Sequence, residues 1–309
     1  MERMCDLHTH SYYSDGTNSP AELITLAVEA GLSAVALCDH NTAAGLPEFL
    51  EAARGTGVEA VPGMEFSADW RGTELHILGL FINEGYYDRL ADYAADFQQR
   101  KDRSNRALVD ALARDGYRVD YDALAAGAPD GYINRAHIAA ALTRAGYTAS
   151  IQEAFKKLLS QKAGYYVPPR LPDAMWVLDL IRQMGAVPVL AHPFLNLDEA
   201  GLRAFLPAAI EHGLAAMETR YSKYAPETAA LAARIAKEYG IGESGGSDYH
   251  GDNKPDIRMG IGRGDLQIPE RFLQQLKTLK LSIINSQFSS VPAEAIRPKS
   301  MRKGSIYGK

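Results

Sequence analysis

Seven short apolar runs, most of them spaced by helical stretches, limit what this chain can fold into. Residues 4–7, 34–38, 58–61, 75–82, 187–191, 214–218 and 241–246 read as strands. Residues 20–30 read as a helix, with Ser19 as N-cap, Pro20 in the first turn and Gly31 as the stop. Residues 45–54, 174–184, 199–212 and 226–239 read as helices too, the last three ended by Gly185, Gly213 and Gly240. A strand–helix–strand rhythm is the signature of a parallel sheet or barrel. Seven such strands imply a barrel-like α/β domain one unit short of the full eight.

The rhythm breaks once. From residue 86 to 166 the apolar positions follow a helical period: Leu90, Tyr93, Ala94 and Phe97 on one face, Leu108, Ala111 and Leu112 on a second, Ile138, Ala141 and Leu142 on a third. This block reads as an inserted helical subdomain. Residues 1–85 and 167–285 then make one discontinuous barrel domain, and 286–309 a C-terminal tail whose last stretch, 297–309, reads as a frayed end.

A net charge of −5 argues against broad non-specific nucleic-acid binding, so no stable DNA partner is expected, although a local basic pocket for a phosphorylated ligand remains compatible with it. No run approaches the ~20 apolar residues of a membrane span, and no signal sequence opens the chain; the expected location is cytoplasmic, away from membranes. Cys5 and Cys38 form no disulfide framework or zinc pattern and read as buried core thiols.

Six of the eight histidines lie at or near the strands. His8 and His10 follow the first, His40 the second, His192 the fifth and His250 the seventh; His76 sits early in the fourth. Glu65 follows the third strand and Asp248 the seventh. Parallel α/β folds build their chemistry at the carboxyl ends of strands, so these residues converge on one mouth. Each piece alone is weak. His8-Thr9-His10 places two side chains on one side of an extended segment, within reach of one ion; Ser14-Asp15-Gly16 alone is a turn, and Asp39-His40 alone an ion pair. The set carries the weight. Imidazoles beside carboxylates make a poor apolar core, and bound divalent cations remove the cost of burying them. His212, at a helix end, is structural. His137 opens a helix of the insertion; a structural role is the commoner fate there, but Arg135 two residues earlier suits an anion site.

His8-Thr9-His10, Ser14-Asp15-Gly16, Asp39-His40-Asn41, Gly63-Met64-Glu65, Leu75-His76-Ile77, Ala191-His192-Pro193 and Gly246-Ser247-Asp248-Tyr249-His250 together resemble the PHP (polymerase and histidinol phosphatase) family. The helical insertion with Arg135 and His137, and Tyr221-Ser222-Lys223 after the sixth strand, resemble the bacterial branch of 3′,5′-nucleoside bisphosphate phosphatases and RNA 5′-end exonucleases. The resemblance implies a distorted seven-stranded (β/α)7 TIM-like barrel with a helical subdomain over its mouth. It implies nine metal ligands: His8, His10, Asp15, His40, Glu65, His76, His192, Asp248 and His250. It carries phosphate contacts onto Arg135, His137 and Ser222, with Lys223 beside the last. Ala136 stands where the family form usually has proline.

The implied cofactor is two or three divalent ions, manganese first, with iron, zinc or magnesium as alternatives suited to the same N and O donors. The implied reaction is hydrolysis of a nucleotide phosphate ester by a metal-bridging hydroxide, with Asp39 or His192 as acid for the leaving group. The expected substrate is the 3′-phosphate of a nucleoside 3′,5′-bisphosphate, and the alternative is short 5′-phosphorylated RNA cut from its 5′ end. Other hydrolases of this metal-cluster type, such as a histidinol phosphate phosphatase or an amidohydrolase, compete less well: the insertion suits a nucleotide-sized substrate, and no bridging lysine is evident. A non-catalytic, metal-dependent nucleotide-binding regulator would need gaps in the ligand set, and the motifs have none.

Overall fold

The computed structural model describes residues 2–127 and 133–289. Its strands are β1 (Cys5–Thr9), β2 (Ala34–Leu37), β3 (Glu59–Trp70), β4 (Thr73–Leu80), β5 (Val187–Leu190), β6 (Ala216–Tyr221) and β7 (Gly242–Gly246), paired in that order in a single sheet. The sheet curls until its ends meet. The Asp248 N–H donates to the His8 carbonyl and the His10 N–H to the Tyr249 carbonyl, each at 2.9 Å. Gly246 permits this approach, because a Cβ there would collide with the His8 Cβ and backbone. The result is a nearly closed, distorted TIM-like barrel of seven strands.

One strand departs from the expected parallel rhythm. β4 runs antiparallel to both β3 and β5. Only Arg71 and Gly72 separate β3 from β4, far too few for the crossover that parallel pairing needs, so the two form a hairpin. β3 is also longer than expected. It runs on through Pro62 and Gly63, which break a strand pattern on paper, so Glu65 lies within the strand rather than after it. The reversal puts the start of β4 at the mouth, where the other strands end, and so brings His76 there.

Strand residues alternate between two apolar layers. Val35, Leu37, Met64, Phe66, Ile77, Leu190 and Met217 face an outer helical layer. That layer contains α1 (Pro20–Glu29), α2 (Leu46–Ala52) and helices from further along the chain. Ser19 caps α1 as expected, and Glu22 completes a reciprocal capping box with it. Ala34, Ala36, Val61, Leu78, Leu80, Val187, Val189 and Ala216 face the barrel interior.

The insertion begins with α3 (Tyr87–Arg114), then α4 (Tyr121–Gly127), α5 (Arg135–Arg144) and the short α6 (Ile151–Ala154), which continues into a π-helical turn. The first two apolar stripes of the sequence share α3, a single 28-residue helix. Leu90 at its start packs in the barrel's outer layer. Leu108, Val109 and Leu112 near its end join Ile138, Leu142 and Leu159 in a separate cluster. The chain then returns through α7 (Ala174–Gln183), α8 (Glu199–Glu211), α9 (Pro226–Tyr239) and α10 (Glu270–Ser289). The sequence reading assigned no helix at α10. Phe272, Leu273 and Leu276 of α10 close the bottom of the barrel interior, each buried apolar side chain contributing roughly 1.5–3 kcal/mol. The expected frayed stretch, 297–309, lies outside the described residues.

Candidate metal centre

The mouth of the barrel gathers side chains from four strands or strand ends around one carboxylate of a fifth. Glu65, on the interior face of β3, is fully buried. Its Oε2 lies 3.2 Å from His8 Nε2, 3.3 Å from His10 Nε2 and 3.1 Å from His40 Nδ1. Its Oε1 lies 2.8 Å from His76 Nδ1 and 3.1 Å from His192 Nε2. A second focus lies beside it. Asp248 Oδ1 is 3.3 Å from His10 Nε2 and 3.4 Å from His250 Nδ1, while Asp15 Oδ1 is 3.1 Å from His250 Nε2. All nine residues of the expected ligand set therefore come together. A shift in strand register between Asp6 and Thr9 brackets His8, and such irregularities re-aim side chains at barrel rims.

The backbone is strained around this point. Asn41, His192 and Asp248 hold positive φ of 55°, 28° and 57°, conformations costing about 1–3 kcal/mol each. His192 and Asp248 follow the ends of β5 and β7, and Asn41 follows His40.

The donor set fits divalent cations on its own geometry. His8 Nε2, both ring nitrogens of His10, Glu65 Oε2, His192 Nδ1 and His250 Nε2 are buried without a hydrogen-bond partner. Isolated buried groups of this kind are costly, and lone pairs converging on shared points are what a cation uses. Three overlapping groups, His10-Asp15-His40-His250, His8-His10-Glu65 and His40-Glu65-His76, each present donor atoms within 4.8 Å of one another. Burial, aided by the neighbouring His250, pushes His10 down to about 3 and keeps it neutral, the form that ligates. Burial opposes ionisation of Glu65, but His40, His8 and His76 outweigh it and hold the carboxyl well below its usual range.

Three residues not singled out from sequence, Glu218, Glu74 and Lys254, complete the site together with Tyr221 of the motif after the sixth strand. Glu218, fully buried on β6, accepts from His8 Nδ1 at 3.0 Å and from the His192 backbone N–H at 2.6 Å. It therefore sets the His8 tautomer, leaving Nε2 as the ligating atom. Its signal in the sequence was a carboxylate two residues after interior-facing Ala216. Glu74 lies 3.5 Å from His76 Nε2. Tyr221 donates its hydroxyl to Asp248 Oδ2 at 2.9 Å, and Lys254 Nζ reaches the same oxygen at 2.8 Å. Nothing in the sequence marked Lys254, which lies beyond the Asp248-Tyr249-His250 motif.

The remaining expected residues behave differently. Asp39 is buried and accepts from the Ser11 N–H and from the Ser11 and Ser14 hydroxyls, bracing the loop that carries Asp15. Burial pushes its carboxyl up to about 6, with those hydrogen bonds working against the rise. A cavity of about 690 Å³ opens over the centre. It is lined by His40, His76, His192 and Asp248, by Lys223 and Lys254, and by Gly72, Thr73 and Glu74 at the tip of the β3–β4 hairpin. Of the two expected acids, His192 lines it and Asp39 does not. Ser222 donates to the Ser247 carbonyl at 2.6 Å beside it. Arg135 and His137 are not among the lining residues. Arg135 donates to the Leu159 carbonyl and stacks over Tyr166, 4.1 Å from the ring centre, while exposed His137 accepts from the Asn134 N–H.

Comparison with known proteins agrees with this geometry. A 5′-3′ exoribonuclease of Haemophilus influenzae is 33% identical over 251 residues, covering 81% of this chain and 91% of that protein. A phosphoribosyl 1,2-cyclic phosphate 1,2-diphosphodiesterase of Eggerthella lenta is 33% identical over 252 residues, covering 80% of this chain and 94% of that protein. The solved structure of a Bifidobacterium adolescentis protein classed as a metal-dependent phosphoesterase superposes with a TM-score of 0.73 at 28% identity, covering 90% of this chain and 96% of that one. The first two are named for phosphate-ester hydrolysis on different substrates. Residues 6–167 match the PHP domain, and the chain belongs to that family of metal-dependent phosphoesterases, hydrolases of phosphate esters.

Proposed function

We propose that the protein cleaves the phosphate ester on the 3′ side of a 5′-phosphorylated nucleotide, acting on short RNA from its 5′ end and on nucleoside 3′,5′-bisphosphates as the smallest substrates of the same site. The two substrates present one reacting bond. In both, a water oxygen bonds to phosphorus, the P–O3′ bond breaks and the 3′-oxygen takes a proton. They differ only in what hangs beyond the phosphorus. The observation that favours the polymer is the mouth. The residues lining the 690 Å³ cavity come from the barrel, so among the described residues no insertion residue walls off the far side of the phosphate.

Two or three divalent ions, manganese first, would be held by His8, His10, Asp15, His40, Glu65, His76, His192, Asp248 and His250. Bound there, they would supply a nucleophile at neutral pH and offset phosphate charge. The chain's own residues do the rest. Glu65 fixes the spacing of five imidazoles, and Glu218 fixes the orientation of His8. Lys223 and Lys254 line the cavity and offer charge to phosphate oxygens, in a pocket of the size usual for small ligands, about 300–1,000 Å³. His192 is the acid candidate for the leaving 3′-oxygen. The helical region 86–166, with its own core, acts as a cap; Arg135 and His137 reach phosphate only when it moves over the mouth.

The test is turnover by manganese-loaded protein on adenosine 3′,5′-bisphosphate and on 5′-phosphorylated RNA oligomers. Release of phosphate from the first and of 5′-mononucleotides from the second is expected. Silence on both, with metal bound, would overturn the function.

A further inference from the structure

A second concavity, about 1,110 Å³, lies between α3 and the extended segment leading into α7. Its floor is aromatic. Tyr93 stacks between Phe97 and Trp176, with centroids 6.3 and 6.4 Å away and interplanar angles of 17° and 18°. Trp176 is 49% exposed although large and apolar. Arg89, Arg100 and Arg103 on α3 face Arg170 on the opposite wall. Asp92, Asp96 and Asp173 also line it. Asp96 pairs with Arg100, and Asp173 accepts the Met175 and Trp176 N–H groups as a helix cap. Among the described residues Arg89, Arg103 and Arg170 have no carboxylate partner, and three unpaired guanidiniums thus face one uncommitted carboxylate, Asp92.

The groove adjoins the metal centre. The Tyr93 hydroxyl donates to Asn41 Oδ1 at 3.3 Å, and Asn41 follows the candidate ligand His40. α7 precedes β5, so its first turn, with Trp176, sits at the mouth end of the barrel. From Arg89 to Ala107 the α3 wall runs about 27 Å, several nucleotides long.

We propose that this groove binds the downstream part of a single-stranded RNA substrate, beyond the scissile phosphate, with a base stacked on the exposed ring of Trp176, which Tyr93 backs, and phosphates against Arg89, Arg103 and Arg170. Stacked aromatics flanked by cations are the general means of holding single strands without sequence preference. The proposal rests on the nucleotide-cleaving function above and adds where the polymer goes. A bisphosphate ends at the reacting phosphorus and leaves the groove empty.

The experiment uses the full chain with manganese and two variants, Trp176→Ala and the triple Arg89→Ala/Arg103→Ala/Arg170→Ala. With adenosine 3′,5′-bisphosphate, both should keep kcat/KM within about twofold. With a 5′-phosphorylated octamer, KM should rise about tenfold for Trp176→Ala, the order expected when one stacked base loses its platform. The triple variant should also flatten the salt dependence of binding by about 0.7 in log–log slope for each phosphate that is no longer neutralised. Binding is measured independently of turnover, by anisotropy of a labelled octamer. It is also read by quenching of Trp176 in a Trp70→Phe background, where it is the sole tryptophan. Trp176→Phe should retain octamer affinity, which separates stacking from misfolding. Octamer affinity unchanged in both variants overturns the groove whether or not the enzyme turns over; bisphosphate and octamer both uncleaved by wild type overturn the function instead. Sedimentation showing that the groove seats a second copy of the chain, unaffected by RNA, would also overturn it.

Discussion

The same seven strands end in two different worlds. At the bottom of the barrel their interior residues are Ala, Val and Leu, sealed by Phe272, Leu273 and Leu276 of α10. At the top the interior holds Glu65, Glu218 and six histidines, with strained backbone at Asn41, His192 and Asp248. The bottom is close to what packing alone would choose. The top is costly without cations. The contrast teaches that stability and chemistry are separated along the strand axis, a few residues apart, so changes at the two ends should be distinguishable.

The largest effect is expected at the top. Glu65→Gln should lower kcat/KM by about 10³-fold or more and reduce bound metal, because the central carboxylate supports several kcal/mol of charge stabilisation. Circular dichroism should stay native; retained activity would break the division at its strongest point. Next comes the bottom. Leu273→Ala should cost about 2–5 kcal/mol in urea unfolding, with kcat of the folded protein unchanged. A fall in kcat without lost stability would show that the two ends are coupled. Glu218→Gln should weaken metal binding by about 10–100-fold in calorimetric titration, since the carboxylate orients a ligand without being one. Unchanged affinity would place Glu218 with the structural residues.

The smallest effect sharpens the same contrast. Cys5 and Cys38 lie in the apolar interior; burial pushes the Cys5 thiol up to about 12 and Cys38 well above its ordinary value. The unfolded thiol ionises near 9, so stability from these groups is complete below pH 9 and falls as pH rises from 9 towards 12. At pH 8 neither thiol should react with iodoacetamide except through unfolding, and Leu273→Ala should speed the reaction where Glu65→Gln does not.

The top of the barrel was largely legible in the sequence because histidines are scarce and their spacing followed the strands. His8-Thr9-His10 and Asp248-Tyr249-His250 are far apart in the chain and adjacent in space. What was not legible had physical reasons. An apolar run carries no direction, so nothing in Leu75-His76-Ile77 says that β4 is reversed; the two-residue link at Arg71-Gly72 was the available clue. Pro62 and Gly63 concealed the length of β3, because neither suits a strand. Glu218 resembled any strand carboxylate until its partners were visible. Arg135 was read as an anion site from its position near a helix start. Its stacking on Tyr166 depends on a residue 31 positions away that no local pattern reveals.

The reversed β4 has one further consequence. After β1, β2, β5 and β7 the segment that leaves the strand also carries ligands, so its length cannot drift without misplacing an imidazole. The hairpin tip is different. Gly72, Thr73 and Glu74 border the cavity, yet Glu65 and His76 are anchored by the ladder on either side. Residues can be added or exchanged at Arg71 and Gly72 while the ladder keeps its register. That makes the tip the part of the rim most open to evolutionary or engineered change, and a natural place to graft a new substrate preference onto an unaltered centre.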